Sequence, residues 1–191
     1  MKKTIFSVLM LIFIVCTIAF SQDNPTPNLL GLGVSIGQRG NGSESISADL
    51  TSPYLHFAQN EYFALRIATD LLATEGIPVG GTTYTWQRPS YYAARLGIVM
   101  GQLPNDYIRL YRELGGLMVI PTGDVASTII PGWGLYVEFG VEFIFNQKKQ
   151  NCLFAEIGDE VTLINATADK LQGAPSMGNG PTVTAGWRYY F

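Results

Sequence analysis

The last ten residues of the chain, 182–191, alternate strictly. Val183, Ala185, Trp187, Tyr189 and Phe191 share one face, and Thr182, Thr184, Gly186, Arg188 and Tyr190 share the other. Successive side chains of a strand point to opposite sides, so this spacing predicts a strand with one apolar and one polar face. The same rhythm runs upstream. Over 29–38, Leu30, Leu32, Val34 and Ile36 alternate with glycine and serine. Over 46–58, Asp49 and Thr51 oppose Ala48 and Leu50, and Leu55 and Phe57 resume the apolar face beyond Pro53. Proline has no ladder donor, so it marks an edge or a bulge in that strand.

Four further strands follow the rule before the closing one is reached, and a fifth is the clearest of all. Over 62–72, Phe63, Leu65 and Ile67 oppose Arg66 and Asp70; over 91–103, Leu96, Ile98 and Met100 oppose Arg95 and Val99. Over 107–120, Ile108, Leu110 and Leu114 oppose Arg109, Tyr111 and Glu113; over 152–163, Leu153, Ile157 and Val161 oppose Glu156 and Glu160. The clearest begins near residue 134, with Leu135, Val137, Phe139, Val141 and Phe143 against Tyr136, Glu138 and Glu142. Eight strands of about ten residues result, joined alternately by short turns near Asn60, Asn105 and Lys148 and by longer loops near Gly42, Gly80, Gly123 and Gly173. The stretch 74–90, with Pro78, Gly80, Gly81 and Pro89, reads as one of those loops.

The beginning of the chain has a different character. Lys2 and Lys3 precede an apolar run over 5–20, and Ala19 and Ser21 stand where a signal peptidase reads small residues, so a secretory signal over 1–21 is expected, with one domain over 22–191. Cleavage there removes two of the 12 basic residues and none of the 15 acidic ones, moving the net charge from −3 to −5. No basic patch points to nucleic acid. Cys152 would be the only cysteine left, which excludes an internal disulfide framework and the usual multi-cysteine metal sites.

Together the leader, the alternation, the short and long connections and the terminal Phe191 resemble the small eight-stranded bacterial outer-membrane β-barrels of the OmpA/OmpX kind, along nearly the whole mature chain. The resemblance implies an all-β, antiparallel, up-and-down transmembrane barrel in the cell outer membrane of a Gram-negative cell. It also implies a monomer in contact with outer-membrane lipid, carried there by the barrel-assembly machinery, with Trp187, Tyr189 and Phe191 as the assembly signal. Apolar faces would then meet lipid, and aromatics at strand ends, including Tyr54, Phe57, Tyr62, Phe63, Tyr107, Phe143 and Phe145, would form a periplasmic girdle. The competing architecture is a soluble, exported, lipocalin-like barrel that turns its apolar face inward around a ligand. Glycines spread over the polar faces and aromatics gathered at strand ends favour the membrane form. Arg112 and Asp159 fit it poorly, since both fall on the lipid-facing phase.

Candidate chemistry lies on the inward phase. Asp49, Arg66, Asp70, Arg95, Arg109, Glu113, Glu138, Glu142, Glu156, Glu160 and Arg188 are all placed there, so a narrow lumen would hold a polar network of arginines and carboxylates. Such charges need partners, which predicts a salt-bridged filling; an open arrangement would instead suit a narrow pore. A lipid-modifying outer-membrane enzyme would be expected to pair a histidine with serine and an acidic residue. The chain has one histidine, His56, followed by Phe57 and Ala58 and placed at the periplasmic end. No cofactor, catalytic or metal-ligating set is expected. The long connections remain as the surface free to specialise, and Tyr84, Trp86, Arg88 and Trp133 are the residues there suited to holding an extracellular protein or surface ligand.

Overall fold

The computed structural model describes residues 30–39, 44–58, 61–74, 77–79, 82–84, 91–105, 107–145, 150–170 and 178–191. The expected leader over 1–21 lies outside them. In chain order the strands are β1 (Gly31–Arg39), β2 (Glu44–Thr51), β3 (Leu55–Ala58), β4 (Glu61–Thr74), β5 (Ile77–Val79), β6 (Thr82–Tyr84), β7 (Tyr91–Asn105), β8 (Ile108–Pro121), β9 (Gly132–Ile144), β10 (Asn151–Ile164) and β11 (Gly180–Tyr190). β3 continues the line of β2 and pairs with β4 beside it. Eight staves therefore form one antiparallel sheet, closed by the β1–β11 and β2–β4 pairings. Closure leaves no edge along the staves for another chain to extend.

Register fixes the shape of the closed sheet. From Gly31 the cross-strand partners run through Thr51, Arg66, Gly97, Gly115, Tyr136, Glu160 and Gly180. Thr182, two residues beyond Gly180, pairs with Arg39, so the circuit returns to β1 ten residues from its start. An eight-stranded barrel staggered by that much has strands tilted by roughly 40° and an interior just wide enough for side chains.

Pro53 breaks the second stave as its chemistry requires. Across the gap, Ser52 N–H donates to Leu65 O at 2.7 Å and Leu65 N–H donates to Ser52 Oγ at 2.9 Å, so a side chain replaces one rung of the ladder. The bend turns Tyr54 inward, where it is 2% exposed. This corrects the expectation that Tyr54 belongs to the aromatic rim; Tyr62 likewise packs against the buried cluster at that end of the lumen. Two other boundaries differ from expectation. The 74–90 stretch contains the β5–β6 hairpin, with Ile77 opposite Tyr84 and Val79 opposite Thr82. The Gly80-Gly81 pair between the two short runs is the local signal for it. β7 also runs on to Asn105, through a register shift after Gln102 that lets Pro104 be accommodated.

Outside, the alternation produces a broad apolar wall. Ile36, Leu96, Leu114, Phe139, Ile157 and Val183, drawn from six different staves, are all more than half exposed. A contiguous surface of this kind is not stable in water and is what a bilayer requires. Tyr107, Phe143, Phe145 and Phe191 crowd one end, while Trp133 stands exposed at the other. Arg112 and Asp159 do point outward in regular register, without a bulge beside them: Arg112 faces Met100 and Phe139 across the ladder, and Asp159 faces Val137 and Pro181. Arg112 shares a groove with Tyr62 and Gln102 near the lower rim. Pro181 is the second residue of β11, which places Asp159 towards the outer end.

Candidate functional site in the lumen and at its mouth

The inward phase assembles two groups of charges, one above the other. The upper group joins Arg39 at the end of β1, Asp70 on β4, Arg95 on β7 and Glu160 on β10. Arg39 Nε donates to Glu160 at 2.7 Å and Nη2 to Asp70 at 2.9 Å, while Arg95 Nη1 donates to Asp70 at 2.7 Å and Nε to Glu160 at 2.7 Å. Each carboxylate thus bridges both guanidiniums. Ser47 Oγ donates to Asp70, and Arg39 Nη1 donates to Tyr91 Oη at 2.8 Å.

The lower group is larger. Arg66 Nη1 is shared by Glu113 at 2.7 Å and Glu156 at 2.8 Å, and the hydroxyls of Tyr136 and Tyr111 donate to those same two carboxylates. Below it, Arg188 forks onto both oxygens of Asp49 at 2.9 and 3.0 Å and donates to Glu142. Two parallel charge-assisted bonds of this kind fix orientation as well as energy. Arg109 Nη1 donates to Glu142 at 2.5 Å, and its guanidinium lies 4.5 Å from the Tyr54 ring and 5.2 Å from that of Tyr190. Its Nε and Nη2 have no hydrogen-bond partner among the described residues, so the two aromatic faces take their place. Tyr54 and Tyr190 close the lower end of the lumen around it.

Glycine makes room for these large groups. A Cβ on Gly140 would lie 2.2 Å from Tyr111 Cζ, and one on Gly97 would lie 2.2 Å from the Tyr136 hydroxyl. On the inward face Gly97 and Gly140 thus leave the room that Tyr136 and Tyr111 occupy, and Gly33 does the same for Asp49.

The outer mouth is sealed differently. Val125 and Ala126, between β8 and β9, and Ala166 and Ala168, between β10 and β11, are buried with Tyr91, Leu117 and Val119 over the upper charge group. Thr167 N–H donates to Ile130 O at 3.2 Å and Lys170 N–H to Val125 O at 3.1 Å, stitching the two loops together. Ser127 donates to Asp169 from its amide at 2.7 Å and from its hydroxyl, and these bonds hold the Asp169 carboxyl below its ordinary range.

Comparison with known proteins agrees with this geometry. No protein-family model matches the chain, and no curated protein matches it by sequence. Among solved structures, the crystal structure of the N-terminal β-barrel domain of Pseudomonas aeruginosa OprF is similar at a TM-score of 0.54 and 10% identity, over 86% of this chain and 98% of that one. The fold is an outer-membrane β-barrel. Ail of Yersinia pestis in a phospholipid nanodisc (TM-score 0.49, 12% identity, 86% of this chain and 99% of that one) and a de novo designed transmembrane β-barrel (0.47, 12%, 87% and 98%) also align. With its apolar wall outside and its charges within, the chain has the eight-stranded outer-membrane barrel fold.

In the barrel, the eleven charged residues read as inward all lie in the interior, and ten of them join the two groups. Glu138 joins neither. Sequence reasoning missed a fifth arginine, Arg39, because the strand was expected to stop at Gln38; its inward phase two residues after Gly37 was the available signal. It also passed over Tyr111, Tyr136 and Tyr190 as ligands of the carboxylates, although their phase is the same. Of the loop candidates, Trp133 is exposed on the outer wall. Tyr84 ends β6, and Trp86 and Arg88 lie outside the described residues.

Proposed function

We propose that this barrel is non-enzymatic and non-conducting, and that it acts through its outward loops in an envelope-structural or surface-interaction role. The observation that carries the reading is the double closure of the lumen, by layers of ion pairs along its length and by an apolar cap at its mouth. A path for ions would have to break both. Catalysis finds equally little support: the lumen carboxylates of both groups are engaged by arginines and tyrosines, and the single histidine sits beside the Pro53 break at the periplasmic end.

In this reading the loops supply recognition. By residue type Tyr84, Trp86 and Arg88, with Trp133 at the outer end of β9, suit an extracellular protein or surface ligand. Trp187, Tyr189 and Phe191 serve assembly. Their rings follow one another on the outer face of the last stave, Trp187 and Tyr189 at 6.0 Å and Tyr189 and Phe191 at 4.9 Å, where an assembly factor reaching from the periplasm would meet them. The signal over 1–21 is cleaved, and the barrel is a monomer.

Replacing residues 79–87 by a short Gly-Ser turn tests the role. The expected product is a folded, heat-modifiable barrel that has lost binding to cells, matrix or a partner protein. In planar bilayers the unmodified protein should give little or no steady current. Retention of every surface interaction by the shortened protein, or large and stable currents from the intact one, would remove the basis for this function.

A further inference from the structure

Among the described residues the outer wall carries one basic side chain, Arg112 on β8. It is exposed, and its guanidinium, alone among those of the described arginines, makes no hydrogen bond, ion pair or ring contact with another described residue. Met100 and Phe139 flank it across the ladder. A groove of about 530 Å³ runs beside it, lined by Ile98, Met100 and Phe139 and also by Tyr62 and Gln102. That volume lies within the roughly 300–1,000 Å³ of clefts that hold small ligands. The groove has a polar end. β7 descends from Tyr91 to Asn105, so Ile98 stands above Met100 and Gln102 below it, and Tyr62, paired with Gly101, joins Gln102 at the bottom.

Depth decides what can meet the charge. Arg112 stands four residues beyond Ile108, the first residue of β8. At ~3.3 Å of rise per residue and a tilt of roughly 40°, that is on the order of 10 Å above the end of the strand. An unpaired charge facing hydrocarbon is costly, and a long side chain relieves it by reaching for the interface. The connection at this end, from Asn105 to Ile108, is of the short kind that outer-membrane barrels turn to the periplasm. The leaflet there is built of glycerophospholipid, whose phosphates are the anions within reach. A second copy of the barrel does not fit the same face. A two-fold contact would bring two Arg112 side chains together. Asp159, which also points outward, stands eight residues beyond Asn151 on β10 and so roughly 10 Å higher, out of level with Arg112 in any barrel inserted the same way.

We propose that this groove binds a single acidic glycerophospholipid from the leaflet at the lower rim. Arg112 takes the phosphate through parallel N–H donors, a geometry that suits guanidinium and phosphate. Tyr62 and Gln102 lie on the headgroup side, and an acyl chain runs upward over Met100, Ile98 and Phe139. Because Arg112 brings the only net charge to the groove, a headgroup of net negative charge is favoured over a zwitterion, whose own ammonium competes for the phosphate. The site is independent of the outward loops and of the role proposed for them.

The test is native mass spectrometry of the full mature barrel, folded in detergent and supplied with equal amounts of phosphatidylglycerol and phosphatidylcholine. Wild type should carry a single phosphatidylglycerol, preferred over phosphatidylcholine by about tenfold or more, as a charge-assisted hydrogen bond implies. Arg112→Gln should lose that preference and Asp159→Asn should keep it. Both variants should remain heat-modifiable, since neither side chain enters the interior. Equal binding of the two lipids by wild type needs no variant to be decisive and would overturn the site, as would an undiminished preference in Arg112→Gln. Displacement of the bound lipid by glycerol phosphate alone would show an anion contact without the groove, and preferential uptake of lipid A would place Arg112 in the other leaflet. Either result overturns the proposal. So does a lipid-free dimer that Arg112→Gln abolishes, which would give this face to a second copy.

Discussion

Replacing Arg66 by Met removes the cation on which the middle of the lumen depends while keeping most of its aliphatic volume. Arg66 is 2% exposed, donates to Glu113, Glu156 and Thr51, and lies 5.0 Å from the Tyr111 ring. In its absence Glu113 keeps the Tyr136 hydroxyl, and Glu156 keeps the Tyr111 hydroxyl and the more distant Arg188 at 3.8 Å. Removing one partner of a buried ion pair costs about 3–5 kcal/mol, because the remaining charge is left buried and uncompensated. Against a total stability on the order of 5–15 kcal/mol, that is a large fraction. Urea titration of the folded barrel in detergent or lipid, followed by its gel mobility without heating, should show the midpoint falling by ~1 M or more. Adding Glu113→Gln to Arg66→Met should restore part of the loss, since residues sharing one network couple strongly. A loss below ~0.5 kcal/mol for the single variant, or no recovery in the double, would mean that the interior is hydrated enough to screen these charges, and the picture of a filled lumen would fail.

Three other outcomes follow from the same geometry. Gly140→Ala should cost about 1–3 kcal/mol by forcing Tyr111 off Glu156, whereas Gly116→Ala, where an added Cβ meets nothing within 4 Å, should be neutral in the same titration. Deleting Phe191, or removing Tyr189 with it, should leave export across the inner membrane intact but reduce outer-membrane levels, with the chain accumulating in the periplasm or being degraded; normal levels would contradict the assembly role. The Ser127–Asp169 clasp should be fully formed above the usual aspartate value of 3.8 and loosen as the pH falls through the lowered value of the folded loop. Hydrogen exchange at the Ser127 amide should show this, and Asp169→Asn should exchange faster at neutral pH.

Much of the wall was legible because its signal is local. Period-two alternation places Trp187 outside and Arg188 inside whatever the neighbouring strands do, and a closed barrel adds only that every stave obeys the same rule. Local conflicts defeated the reading where they occurred. Tyr54 was assigned to the rim because Pro53 interrupts the phase, and only the bond between Leu65 N–H and Ser52 Oγ reveals how the chain bends. Arg39 was lost because a strand end followed by Gly40 resembles a turn. Partnerships inside the lumen were not legible at all. Which carboxylate meets Arg188 depends on the ten-residue stagger and on where glycine permits a long side chain to cross, and neither is a property of a single segment.

That stagger bears on how the molecule forms. Arg188 reaches Asp49 across 139 residues of chain and Arg39 reaches Glu160 across 121, so these bonds cannot exist until the first and last strands meet. Contacts so distant in sequence repay their loop-closure entropy only at the end, which makes folding slow and the final step decisive. Until then the arginines and carboxylates of the interior stay hydrated, and afterwards parting β1 from β11 would strand them beside lipid. A barrel built in this way has little to gain from fraying one strand at a time; its seam should hold until the whole cylinder gives way.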